Sequence, residues 1–225
     1  MSKFTAIVLS GGTGKRMQSD IPKQYLMLKD KPVLAYSLLA FEASEVDDII
    51  IVCASGYEDY IRKEFVEKYS LKKVSSIVTG GEERYDSVYC GLKECKDSDY
   101  VLIHDGARPY VSEDIIRRNI EEVVKFEAVV TAVKSTDTVK IADDDGFVVS
   151  TPKRNNVYFM QTPQTFKYDL AFESYDKYIK ALDNNETVKA TDDAQVVEMM
   201  SSHKVKLIEG EYTNIKITVP SDLKN

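Results

Sequence analysis

The sequence holds few of the residues that build metal and redox sites. It has two histidines, His104 and His203, and three cysteines, Cys53, Cys90 and Cys95, none of them in a C-x-x-C pair. A structural zinc site needs about four such ligands at close spacing, which this inventory does not supply. An odd number of unpaired cysteines suits reduced thiols in a cytosol. Basic residues are also in deficit, with 30 Lys and Arg against 37 Asp and Glu and a net charge of -7. A nucleic-acid or membrane-surface binder normally carries a basic excess, so neither is expected as a partner; if the substrates are phosphates, the positive charge must be local. No apolar run approaches the roughly 20 residues of a membrane span. The N-terminus MSKFTAIVLS runs directly into glycines without the long apolar stretch of a signal peptide. A cytoplasmic protein is expected.

What is present points to an α/β fold. The chain has 225 residues and is 43% hydrophobic, enough for a proper core. Apolar, β-branched runs at Thr5–Leu9, Ile49–Ala54, Ser75–Val78, Tyr100–His104 and Ala128–Ala132 predict strands. Between them, Val33–Ala43, Tyr57–Tyr69, Ser87–Cys95 and Glu113–Phe126 show helical periodicity, the last opened by Ser112 as N-cap. This alternation predicts right-handed crossovers and a Rossmann-like, mostly parallel sheet covered by helices, in one domain spanning residues 1–225. After Ala132 the rhythm breaks: Val133–Val157 alternates polar and apolar residues around DDDG and reads as a protruding β-hairpin arm. A lone two-stranded ribbon is at best marginally stable, so the arm is expected to pack on a partner subunit. Helices at Tyr168–Leu182 and Asp192–Met200 and strands at Val205–Glu209 and Ile215–Thr218 complete the reading.

Chemistry concentrates in the loops after strands. The segment Ser10–Lys23, SGGTGKRMQSDIPK, places three glycines and the cations Lys15, Arg16 and Lys23 just past the first buried strand. Glycines admit a ligand close to the backbone, and the cations supply what phosphates need. It is neither a Walker A loop, since Leu9 stands where the first glycine belongs and Arg16 where Ser or Thr belongs, nor a G-x-G-x-x-G fingerprint, since Met17 takes the third glycine's place. Three further loops follow: TGGEERYDS at residues 79–87, HDGARP at 104–109 with Asp105 at a strand end, and TDDA at 191–194. Each also has a structural reading as a turn, a strand-end cap or an N-cap with first-turn acids. Lys216, flanked by Ile215 and Ile217, points away from both, toward a site or toward solvent at a sheet edge.

Taken in order, SGGTGKRM, PKQYL, GGEERYDSV, HDGARP, QTPQTF, TDDA and NIKIT resemble the cytidylyltransferases that make CDP-activated polyol phosphates. TDDA and GGEERYDSV pull toward the methylerythritol phosphate branch of non-mevalonate isoprenoid synthesis. The Gly-Gly opening, where the family usually has Ala-Ala-Gly, and QTPQTF also occur in the ribitol 5-phosphate branch that serves teichoic-acid and capsule synthesis. The resemblance implies transfer of CMP from CTP to a polyol phosphate with Mg²⁺ as cofactor. It places the catalytic basic pair at Arg16 and Lys23 and the CTP contacts at Ser10, Gly11, Gly12, Gly14, Gly81, Glu82, Ser87 and Gly106. It places acceptor binding at Asp105, Thr138, Arg154, Thr191 and Lys216, with Asp105 also beside the metal. Thr138 and Arg154 would lie on an arm that reaches into the other subunit of a homodimer. A non-catalytic nucleotide-binding regulator would be expected to lack Arg16, Lys23 or Asp105, and all three are present.

Overall fold

The computed structural model describes residues 2–12, 21–187 and 189–224. In chain order, β1 (Phe4–Ser10) leads through a 3-10 turn at Lys23–Tyr25 and a small ribbon of β2 (Met27–Leu28) and β3 (Lys31–Pro32) to α1 (Val33–Ala43). Then come β4 (Asp48–Cys53), α2 (Glu58–Ile61) continued by a π-helical stretch at Arg62–Glu67, β5 (Val74–Thr79), α3 (Arg84–Glu94), β6 (Tyr100–Asp105), α4 (Glu113–Phe126) and β7 (Ala128–Lys134). The arm carries β8 (Ile141–Ala142) and β9 (Val148–Ser150). The chain returns in β10 (Tyr158–Lys167), α5 (Tyr168–Asp183), α6 (Asp193–Met200) and β11 (Lys206–Glu209). Among the described residues, seven strands form one sheet in the order β11-β7-β10-β6-β1-β4-β5. β10 runs antiparallel to both neighbours, and the other pairings are parallel.

The period of two along each strand splits the core into two layers. Ala6, Val8, Ile49, Ile51 and Leu102 face Leu34, Leu38, Phe41, Ile115 and Ile116 on one side. Ile7, Ile50, Val52, Val101, Ile103 and Phe166 face Val88, Leu92, Tyr175 and Val196 on the other. Strands covered on both faces need apolar side chains at successive positions, and this is why they appear in the sequence as continuous runs. Ser112 caps α4 as expected, its Oγ accepting from the Ile115 N–H at 3.1 Å.

Three elements depart from the sequence reading. Ile215–Thr218 is not a strand: it runs extended beside the loop after β6, with a backbone bond from Ile217 N–H to Ala107 O at 2.8 Å but no ladder. β10, in contrast, is not visible in the sequence pattern, because Pro163 and two glutamines interrupt it. A register shift between Met160 and Gln164 takes up the proline, which a central strand tolerates only at such an irregularity. The helix expected from Ser87 begins earlier, at Arg84, behind a capping box of Glu83 and Asp86.

β6 and β10 are joined through His104, which is wholly buried. Its Nδ1 pairs with Thr162 Oγ1 at 3.0 Å, its Nε2 with Arg108 O at 3.3 Å, and its ring meets Phe41 edge-on. Burial lowers the ring from 6.5 to about 4. Between those values the unfolded chain binds a proton that the folded chain refuses, so stability is full above pH 6.5 and falls as the pH drops toward 4. The loss reaches about 3 kcal/mol at about 1.4 kcal/mol per pH unit. Thermal melts of the wild type are expected to show this fall, and His104→Asn is expected to melt lower at pH 7 with a shallower decline to pH 4.5. An unchanged pH slope in the variant would assign the acid sensitivity elsewhere.

Candidate active site

The order β5-β4-β1-β6 reverses direction at β1, and open α/β sheets bind ligands outside the carboxyl ends of the strands at such a switch point. Ser10 ends β1 here, and Asp105 ends β6. Gly106 N–H closes the two strand ends together by donating to Leu9 O at 2.9 Å. Gln24, buried behind the glycines, donates to the carbonyls of Ser10 and Gly12, the second at 3.1 Å, and the Tyr25 hydroxyl reaches Ser10 O at 3.3 Å. These bonds occupy carbonyl oxygens that would otherwise repel a phosphate. The Ser10 hydroxyl is turned to Val52 O at 3.2 Å, and Ser10 itself is buried. Gly14 and Arg16 lie outside the described residues.

A cleft of about 300 Å³ opens between Gly11 and Gly12 on one wall and Gly81, Glu82 and Ser87 on the other, with Lys23 at its rim. Lys23 Nζ donates to Ile217 O at 2.8 Å. Two glycines here answer to different demands. At Gly81 a Cβ would stand 2.3 Å from the Cβ of Asp86, so the fold itself requires glycine. At Gly12 nothing among the described residues lies within 4 Å of that point, so they leave room for a side chain there.

A second cleft of about 270 Å³, lined by Arg108, Gln161, Thr162 and Thr191 among others, adjoins the first. Arg84, Asp105 and Lys216 line both and form the wall between them. Asp105 Oδ2 accepts from Lys216 Nζ at 2.7 Å, its Oδ1 from Arg84 Nε at 3.1 Å, and Arg108 Nε approaches to 4.0 Å. Burial alone would raise this carboxyl, yet Arg84 and Lys216 together hold it well below the usual carboxylate range. Asp105 is therefore a fixed anion at neutral pH and not a proton acceptor. Among the described residues Arg108 Nε has no hydrogen-bond partner, a donor left over beside the second cleft.

The fold thus brings Gly11, Gly12, Gly81, Glu82, Ser87, Asp105 and Lys216 together, with Thr191 on the far wall of the second cleft. Thr138 and Arg154 stand apart, exposed on the arm and lining neither cleft of their own chain. Sequence reasoning missed Arg84, Arg108, Gln24 and Asp193. All four sit inside quoted motifs, but spacing along a chain does not reveal the partners that give them a role.

No group of three or more metal-binding side chains occurs among the described residues. Both oxygens of Asp105 already face a cation. This donor set does not fit a metal caged by protein, but it fits Mg²⁺ carried in on phosphate oxygens with one carboxylate nearby.

The family model IspD, 2-C-methyl-D-erythritol 4-phosphate cytidylyltransferase, matches residues 4–225. The 2-C-methyl-D-erythritol 4-phosphate cytidylyltransferase of Lachnoclostridium phytofermentans is 51% identical, over 99% of this chain and 94% of its own length. That of Lachnospira eligens is 47% identical, over 98% and 96%. A crystal structure of 4-diphosphocytidyl-2C-methyl-D-erythritol synthase from Anaerococcus prevotii superimposes with a TM-score of 0.87 at 38% identity, covering 99% of this chain and 93% of that one. The chain belongs to the 2-C-methyl-D-erythritol 4-phosphate cytidylyltransferase family and is a cytidylyltransferase of the isoprenoid route that runs through methylerythritol phosphate.

Proposed function

We propose that this chain transfers CMP from CTP to 2-C-methyl-D-erythritol 4-phosphate, with the nucleotide in the first cleft and the acceptor in the second. One observation carries the assignment of the clefts: they adjoin, and Arg84, Asp105 and Lys216 line both, so a phosphate in each would meet at one cationic wall. An oxygen of the acceptor phosphate attacks the α-phosphorus of CTP; the new P–O bond forms as the bond to the β-phosphate oxygen breaks, and pyrophosphate leaves with that electron pair. The nucleophile is an anion near neutral pH, since the second ionisation of a phosphomonoester lies near 6, so no general base is needed. Burial keeps His104 neutral and outside the chemistry.

What the protein supplies is proximity and charge. Gly11, Gly12, Gly14 and the backbone of Ser10 cradle the triphosphate, with Arg16 and Lys23 on the phosphoryl charge that grows in the transition state. Gly81, Glu82, Ser87 and Gly106 hold the base and ribose. Asp105 would be the carboxylate beside a Mg²⁺ carried in on the triphosphate, and that ion would supply neutralisation of the phosphate charge. Lys216, Thr191 and Arg108 face the acceptor phosphate. Thr138 and Arg154 complete the acceptor site of a partner subunit in a homodimer. Support for that last role comes from the arm, where Ile141, Phe147, Val148 and Val149 are exposed on a ribbon that cannot bury them itself.

Pyrophosphate release with each NTP, Mg²⁺ and either methylerythritol phosphate or ribitol phosphate tests the reaction. The expected result is CTP with methylerythritol phosphate, because a site built to pair a base's polar edge is left unsatisfied by the wrong base. Faster turnover with ribitol phosphate at matched concentration would overturn the acceptor.

Lys23→Ala is expected to lower kcat by on the order of 10²- to 10³-fold while CTP affinity changes far less, the pattern of a charge that acts mainly in the transition state. A variant with near-normal kcat and only a raised KM for CTP would remove Lys23 from that role. The shared site makes a separate prediction. Lys23→Ala and Arg154→Ala homodimers are each inactive, but subunit exchange between them leaves half the dimers mixed with one intact site each. Roughly a quarter of wild-type activity returns. No recovery despite exchange demonstrated by mass-tagged subunits would mean that the arm serves its own chain.

A further inference from the structure

The TDDA motif sets two acids at the start of α6, and helix capping accounts for one. Asp192 is the N-cap, its Oδ1 accepting from Gln195 N–H at 2.9 Å. Asp193 is occupied differently. Its carboxylate is fully buried, accepts both terminal nitrogens of Arg84 at 2.7 and 2.8 Å and the Tyr175 hydroxyl, and lines neither cleft. Burying a carboxylate and a guanidinium costs most of what their attraction returns, so a pair of this kind is weak evidence for stability. Its geometric effect is definite. A guanidinium is planar, and fixing both terminal nitrogens fixes the direction of the Nε–H. In Arg84 that N–H meets Asp105 Oδ1, and the other oxygen of Asp105 meets Lys216. From the neutral Tyr175 hydroxyl in the core, charges of alternating sign run to the wall between the clefts: Asp193, Arg84, Asp105, Lys216.

We propose that Asp193 is a positioning residue for cytidylyl transfer: by forking Arg84 from the side away from the substrates, it holds Asp105 and Lys216 where the two phosphates meet. This rests on the functional reading above. Remove the fork, and Arg84 keeps its charge but loses its orientation; Asp105 then loses its fixed partner, and Lys216 its aim. A misplacement of about 1 Å at a reacting phosphate is enough to cost on the order of 10²-fold in rate.

The test uses Asp193→Asn, which keeps the shape and removes the charge, and Arg84→Lys, which keeps the charge and removes the fork. Each is expected to lose about 10²-fold in kcat with methylerythritol phosphate. CTP binding by Asp193→Asn, measured by calorimetry without acceptor, should fall far less than kcat, because Asp193 lines neither cleft and Arg84, which lines both, keeps its charge. The double variant is expected to be no slower than the slower single, since both changes break one link. A mere staple between α3, α5 and α6 would lower the melting temperature without moving kcat at 25 °C. If Asp193→Asn does not fold, Arg84→Lys carries the test alone, as it leaves the buried carboxylate facing a cation. Folded variants that turn over near the wild-type rate, or losses that multiply in the double variant, overturn the proposal. Wild-type protein that releases no pyrophosphate from CTP with methylerythritol phosphate overturns the functional reading and this inference with it, whereas an active wild type with normal variants overturns the inference alone.

Discussion

A protein that brings two phosphate-bearing substrates together must first hold several cations together, and those cations repel. Here Arg84, Arg108 and Lys216 crowd one strand end, and Asp105 and Asp193 stand between them. With three cations against two carboxylates the cluster keeps an excess of positive charge in a chain whose net charge is -7. The carboxylates do not cancel the site. On the proposed reading they keep its cations assembled before any substrate arrives, so the charge is already oriented when the phosphates enter, and little reorganisation is left for the reaction to drive.

That cluster can exist only because of where the sheet ends. β1, β4, β5 and β6 all deliver their carboxyl ends to one edge, and β7 and β11 do the same on the far side. β10 runs the other way, so its early residues Gln161 and Thr162 reach the same edge. Thr162 Oγ1 accepts the Asp105 backbone N–H at 3.1 Å, and Asn214, buried beside it, donates to Thr162 O at 2.9 Å. The segment carrying Lys216 is therefore seated by a backbone bond from Ile217 N–H to Ala107 O in the loop after β6 and by the Asn214 side chain, which donates to the β10 backbone.

The parts that the sequence disclosed are those decided by local rules. Double burial wrote β1, β4 and β6 as apolar runs, and capping chemistry marked Ser112. Lys216 was legible in direction, because Ile217 on the next position is wholly buried, but its destination at Asp105 was not. β10 was illegible because Pro163 and its glutamines obey tertiary demands that override strand propensity. Arg84 and Asp193 were illegible as a pair for a simpler reason. They are separated by more than a hundred positions, and each has a sufficient local explanation, one as a first-turn helix residue and the other as an N-terminal acid. The membership of the chain in its family came from motif order, which records the whole arrangement without explaining any one contact.

The proposed division of the acceptor site between two chains follows from the same electrostatics. Adding a further arginine to the wall between the clefts would require another buried carboxylate, or it would cost stability through self-repulsion. Arg154 on an exposed arm avoids both costs: it stays hydrated while the chain folds and gives up water only where an anionic acceptor is present to replace it. The arm leaves the sheet from the carboxyl end of β7, the same edge that carries the clefts, so a two-fold axis near that edge would set each arm over the other chain's site. On this arrangement the exposed Phe147, Val148 and Val149 are what anchors the arm to its partner, and the charge that Arg154 contributes reaches the phosphate without ever being part of either chain's own buried cluster.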